Sequence, residues 1–211
     1  MINLIDIGCG HHLSRPWKSH IENIENFLGF DYFELSSKKG DIQLSKGEVF
    51  LFKKLVFDKD GVVSFYICDD PWVSSVFEPN IEITKEYFNY KFTIKKIEEV
   101  ECICLDTAIK KTNIEFDFMK IDAQGAEFNV LSGMGEYLEK DIVGIDIKMF
   151  FKEVYKGISL YDDTHKFLES KGFEQVQRFH KNNKFISDFL YIKKNKYKKD
   201  KKKEIKRIYD I

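Results

Sequence analysis

The chain has 211 residues and a mass of 25.0 kDa, with 43% hydrophobic and 33% charged residues, enough for one domain with a continuous core. Its apolar runs are short, as in Val49-Phe50-Leu51-Phe52, far below the roughly 20 residues that cross a bilayer. The four cysteines form no CxxC pair and no basic segment precedes the first apolar stretch, so a secretory leader, a disulfide frame and a metal site are disfavoured, and a cytoplasmic domain is expected. The formal net charge of −1 hides a division: residues 193–211 hold ten Lys/Arg against three acids, while residues 1–192 hold 24 basic and 32 acidic residues. The expectation is an acidic domain over 1–192 followed by a separate, flexible basic tail over 193–211.

In chain order, Met1–Ile7 reads as a buried strand running into Gly8-Cys9-Gly10. Ser14 and Pro16 are suited to start a helix, and Ile21, Ile24, Phe27 and Leu28 recur at helical spacing. Phe27–Phe30 reads as a second strand ending at Asp31, which completes a βαβ unit and implies a parallel sheet. Glu48–Phe57 and Val62–Cys68 are β-rich and flank Asp58-Lys59-Asp60-Gly61, a hairpin turn signal. Residues 91–105 again look β-rich, followed by a short helix over Leu105–Lys111 that Asp106 could cap. Phe116–Ile121 is a buried strand ending at Asp122, and Gly125-Ala126-Glu127 leads into a helix. A strand over Ile142–Phe151, a helix over Asp162–Lys171 closed by Gly172, and a hairpin of Phe173–Phe179 with Phe185–Ile192 follow. The pattern is a three-layer α/β domain with a terminal antiparallel hairpin.

Asp6-Ile7-Gly8-Cys9-Gly10 is the first functional candidate. Glycines permit a tight strand-to-helix turn and let a ligand approach the backbone. Asp31 lies 21 residues past Gly10, where an acid accepts hydrogen bonds from ribose hydroxyls. A dinucleotide fingerprint would place a third glycine at position 13, which is Leu13, so NAD(P) is disfavoured. The shorter form suits S-adenosylmethionine (SAM), which has a ribose and no phosphate. Asp6, Gly8, Cys9, Gly10 and Asp31 are therefore candidate cofactor-binding residues.

Residues 117–133 read Asp-Phe-Met-Lys-Ile-Asp-Ala-Gln-Gly-Ala-Glu-Phe-Asn-Val-Leu-Ser-Gly. This segment closely resembles the core motif of the FkbM family of SAM-dependent methyltransferases, matching at Asp117, Phe118, Lys120, Asp122, Gln124, Gly125, Glu127, Leu131 and Gly133. Ile5–Gly8 with Pro16-Trp17, Leu28–Asp31, the Ser74-Ser75 loop, Leu105-Asp106, Tyr155-Lys156-Gly157 and Gly172-Phe173 resemble further family positions, so the likeness spans about residues 3–192. It implies a Rossmann-like class I methyltransferase fold with a mostly parallel seven-stranded sheet, SAM as cofactor, and O-methylation of a hydroxyl on a glycan or other small polar acceptor. One departure is clear: relatives carry (I/V)-E-(I/V)-E-V in the fifth strand, and this chain has Ile145-Asp146-Ile147-Lys148.

Methyl transfer needs alignment of acceptor with methyl carbon, exclusion of water, and a group to receive the hydroxyl proton. Asp122, at a strand's carboxyl end where open α/β sheets bind ligands, is the first candidate for placing the acceptor. Asp122 and Gln124 are also candidates for cofactor contact. His11 and His12, after the glycine turn, are candidate bases; His165 is a weaker one, and Lys120 and Glu127 are expected to pair or cap around the turn. Trp72, Ser74 and Ser75 lie on a loop that could cover the acceptor. Two rival readings remain: a nucleic-acid methyltransferase using the basic tail, which could also touch other anionic surfaces, and a non-catalytic binding module of the same fold.

Overall fold

The computed structural model describes residues 1–10, 12–33, 42–87, 91–195 and 197–211. Seven strands form the main sheet: β1 (Ile2–Ile7), β2 (Ile24–Phe30), β3 (Val49–Phe52), β7 (Phe118–Ile121), β8 (Gly144–Phe150), β9 (Phe173–Arg178) and β10 (Ile186–Lys193). Their order is β3-β2-β1-β7-β8-β10-β9, parallel except for β10, which pairs antiparallel with β8 and β9. Between β3 and β7 come β4 (Leu55–Val56), β5 (Gly61–Cys68) and β6 (Ile94–Ile103), which form a second sheet in the order β4-β6-β5. Among the described residues the α-helices are α1 (Ile81–Tyr87), α2 (Leu105–Lys110), α3 (Glu127–Ser132), α4 (Tyr137–Lys140), α5 (Tyr161–Ser170) and α6 (Lys199–Ile208).

Strand alternation gives the main sheet two different faces. One carries Ile5, Ile7, Met119, Ile121, Ile145 and Ile147 and is buried against apolar residues of α2, α3, α4 and α5, including Ala108, Val130, Leu138 and Leu168. The other face changes character along the strands. Its first half is apolar, with Leu4, Phe118 and Leu190 packed against Trp17, Ile205, Ile208 and Tyr209. Its second half is charged: Asp6, Lys120 and Asp146 stand in register across β1, β7 and β8, and Lys148 faces Asp188 across β8 and β10.

Three expectations change. Ile24 and Phe27 belong to β2, not to a helix; among its described residues the β1–β2 connection holds a 3-10 segment over Trp17–Asn23, capped by Pro16, with no side-chain cap from Ser14. Spacing of three and four suits a helix, but pairing with β1 buries both residues fully in the sheet. Second, no hairpin joins β4 and β5: they flank β6, with Leu55 opposite Cys102 on one side and Gly61 opposite Cys102 on the other. Third, residues beyond 193 include an ordered helix rather than a flexible tail. Ile205, Ile208 and Tyr209, at i, i+3 and i+4, form an apolar stripe buried on the sheet. The opposed charges of body and tail also meet, because Lys198 and Lys201 hold the buried Asp117 carboxylate at 2.9 and 3.0 Å. The amino terminus lies 2.8 Å from Glu204.

Candidate functional site

Strand order reverses between β1 and β7, and in open α/β sheets the crevice at that point receives ligands. Here the carboxyl ends of β1 and β7 nearly touch. Asp122 N donates to Ile7 O at 2.9 Å, and a Cβ on Gly8 would stand 2.0 Å from Asp122 O. With φ +78° as well, position 8 admits only glycine. Gly10, at φ +56°, donates its N–H to Asp31 Oδ2 at 2.8 Å, while Asp31 Oδ1 accepts from Phe33 N. The turn and the acid at the end of β2 are thus tied together, and the carboxylate is fixed at the mouth of a cleft.

That cleft is lined by Gly8, Asp31, Tyr32, Phe33, Phe65, Trp72, Asp122 and Gln124. Its lining offers the chemistry a nucleoside calls for: aromatic side chains, a backbone at Gly8 bare of any side chain, and a carboxylate at Asp31 of the kind that accepts from ribose hydroxyls.

Four sequence segments converge on the turn after β7. Gln124, at φ 49°, donates from Nε2 to Asp122 Oδ1 at 2.8 Å and accepts at Oε1 from Tyr155 OH at 3.0 Å. Ser75 Oγ donates to Gln124 O at 2.7 Å, and Phe77 N donates back to Ser75 Oγ. Glu127 accepts from Ala123 N and Gly125 N at 3.0 and 2.9 Å and so caps the turn, as expected; burial pushes its carboxyl up to about 8. Lys148 Nζ donates to both Asp122 oxygens, at 2.7 and 2.6 Å. Although burial opposes it, the Lys148 and Lys120 charges hold the Asp122 carboxyl below its ordinary value, ionised at neutral pH.

Other expected site residues lie elsewhere. Asp6 does not line the cleft: its side chain is fully buried under the opposite sheet face, 3.6 Å from Lys120 Nζ, and desolvation raises it to about 6. Cys9 is buried under the turn and packs against Gly29. His12 sits beside the Trp72 edge, its Nδ1 3.3 Å from Gly10 O, and does not line the cleft. His11 lies outside the described residues. His165 bonds Tyr191 OH at 2.7 Å and stacks on Tyr161 at α5. Ser74 and Ser75, by contrast, line the cleft beside Trp72 and anchor their loop, since Ser74 Oγ accepts from Cys68 N at 3.1 Å.

Sequence reasoning gave no role to Tyr155, Asp146 or Tyr209. Trp17 Nε1 donates to Tyr209 OH at 3.2 Å, and that hydroxyl donates to Asp146 Oδ2 at 2.8 Å. Burial lifts Asp146 to about 7. The available signal was in Gly144–Lys148, where Asp146 and Lys148 interrupt a buried strand at the two-residue period.

The strand order, the single antiparallel strand and the glycine turn at the switch point define the class I methyltransferase fold. The chain belongs to the methyltransferase FkbM domain family, whose model matches residues 2–174, and SAM is the cofactor of that family. Among solved structures it is similar to magnesium protoporphyrin IX methyltransferase from Synechocystis PCC 6803 with bound SAM, at 12% identity and a TM-score of 0.43, over 91% of this chain and 70% of that one. No curated protein matches the chain.

Proposed function

We propose that this protein transfers a methyl group from SAM, held in the cleft between Gly8, Asp31 and the Tyr32–Phe33 segment, to a hydroxyl of a glycan or small polar acceptor placed by Asp122. The observation that carries this reading is the position of Asp122. Among the described residues it alone lines both the cleft and a second cavity on the charged sheet face. When bound, SAM supplies a methyl carbon activated by a sulfonium whose charge is lost on transfer. The chain's task is alignment and proton management. Lys148 and Gln124 fix the Asp122 carboxylate from one side, and its remaining lone pairs accept the acceptor hydroxyl. With SAM bound there, the methyl group would come from the cofactor, and Asp122 would take the proton that the acceptor hydroxyl loses and pass it to water. An ionised, low-pKa carboxylate is a weak base, so orientation is its larger contribution.

The nucleic-acid reading loses support from the C-terminal segment. Lys198 and Lys201 are spent on Asp117, and Lys202 Nζ donates to Lys193 O at 2.7 Å, which leaves fewer free cations for phosphates. No described helix is long and apolar enough to cross a membrane; we place the protein in the cytoplasm. The test is methyl transfer from labelled SAM by wild type and Asp122→Ala. Loss of transfer with SAM binding intact supports the assignment, and wild-type turnover in the variant overturns it.

A further inference from the structure

A glycine turn leaves its backbone bare so that a ligand can lie against it. At Gly8 the bare position is taken up by the backbone of Asp122. At Gly10 it is taken up by side chains: a Cβ built there would stand 2.9 Å from Trp72 Cη2 and 3.0 Å from His12 Cε1. The Trp72 indole, edge to face with His12 at 5.9 Å between ring centroids, therefore rests on the part of the turn that a cofactor would use. As the side chains stand, the cleft encloses about 80 Å³, whereas pockets that take a drug-sized ligand measure roughly 300–1,000 Å³. A nucleoside bearing an amino-acid arm fits only if part of the lining moves.

Most of that lining is held. Ile7, Phe30 and Val56 belong to strands. Tyr32 OH donates to Glu98 at 2.7 Å, and the Tyr32, Phe33 and Phe65 rings pack on one another at 5.0–5.9 Å. Asp122 is clamped by Lys148 and Gln124. The backbone around Trp72 is held as well. Tyr66 and Ser75 exchange backbone hydrogen bonds at 2.7 and 3.2 Å, and Val73 O accepts from Tyr155 OH at 3.0 Å. Trp72 N itself donates to Asp70 Oδ1 at 3.1 Å. The Trp72 side chain differs: it lines the cleft yet is 49% exposed, and it projects from the three-residue 3-10 turn Pro71–Val73. Rotation about its side-chain bonds moves the indole off Gly10 without breaking a backbone hydrogen bond, and exposed side chains turn in this way readily.

We infer, on the methyltransferase reading above, that Trp72 is the gate of the cofactor cleft: its indole turns off Gly10 to admit SAM and then packs over the bound cofactor. The loop that carries it is a fixed frame around one moving side chain, and the residue serves the cofactor rather than the acceptor. Gating and covering act on opposite rates. While the indole lies on Gly10, only the fraction of molecules with the gate open admits ligand, which slows association. Once it lies over the ligand, it slows release.

The test uses the full chain and S-adenosylhomocysteine, with association and release followed by surface plasmon resonance on immobilised protein. Trp72→Ala is expected to speed association at least ~3-fold and release at least ~10-fold. Trp72→Phe, with a smaller ring, is expected to fall between that variant and wild type. Fluorescence gives a second reading, because of the two tryptophans Trp17 is fully buried and Trp72 half exposed. Acrylamide is expected to quench Trp72 in wild type, and saturating S-adenosylhomocysteine to remove most of that quenching. Faster release without faster association would make Trp72 a fixed wall and overturn the gate. Unchanged rates, slower association, or quenching indifferent to the ligand would overturn it as well, with the methyltransferase reading left standing. Failure of the wild type to bind S-adenosylhomocysteine would overturn both.

Discussion

The two sides of Asp122 were written into the sequence in different ways. On the cleft side, several contacts lie within one short motif, Gln124 to Asp122 and Glu127 to Ala123 and Gly125, and the longer ones, Gly10 to Asp31 and Ser75 and Tyr155 to Gln124, end on residues of such motifs. On the cavity side, every contact crosses strands or reaches from the chain's end: Lys120 to Asp6, Lys148 to Asp122, Tyr209 to Asp146. Local backbone chemistry leaves a motif, whereas a charged row assembled across three strands leaves only isolated polar residues.

The sharpest way to break this contrast is on the cleft side. Gly8→Ala forces a Cβ against Asp122 O at 2.0 Å in a left-handed backbone, and overpacking plus strain are expected to cost about 3 kcal/mol and SAM binding with it. Thermal unfolding and ligand titration read both effects, and an unperturbed variant would show that the turn is not the tight junction described. On the junction itself, Asp122→Ala is expected to lower methyl transfer by about 100-fold or more, with SAM affinity within a few fold. In the C-terminal segment, Ile205→Ala in α6 should cost about 2–4 kcal/mol, because the side chain is fully buried. A free tail would give no change in denaturant midpoint.

A smaller effect concerns pH. Asp6, Asp146 and Glu127 are raised by burial to about 6, 7 and 8, so the folded chain keeps them protonated where the unfolded chain has ionised them. Their stabilisation is fully present below their ordinary values near 4 and is lost as pH rises through about 6 to 8. The melting temperature should therefore fall between pH 5 and 8.5, and Asp146→Asn should flatten the fall. A melting temperature that rises over that interval would contradict the burial of these carboxyls. Asp122 acts in the opposite sense: ionised by Lys148, its contribution persists at high pH and fades only in acid.

How much was legible follows from the same contrast. The glycine turn, Asp31 and the Asp122–Glu127 segment could be read because each carries its residue types at a fixed spacing along the chain. The parallel pairing of β1 with β2 follows from the strand–turn–strand pattern. What could not be read depends on distant partners. Ile24 and Phe27 fit a helix as well as a strand until β1 is placed beside them. Glu48–Phe57 looks continuous, yet β3 joins one sheet and β4 another. In the tail, nine lysines and Arg207 mask the stripe of Ile205, Ile208 and Tyr209 that seats α6. A net charge summed over the segment says nothing about which face each residue occupies.

The central claim is that the cleft at Gly8 and Asp31 holds SAM. Isothermal titration of SAM into wild type, Asp31→Ala and Tyr209→Phe tests it most directly. The account predicts one site in wild type, at least ~10-fold weaker binding when the Asp31 carboxylate and its charge-assisted hydrogen bonds are removed, and unchanged affinity in Tyr209→Phe. No binding to wild type at millimolar SAM, or equal affinity in Asp31→Ala, would contradict it.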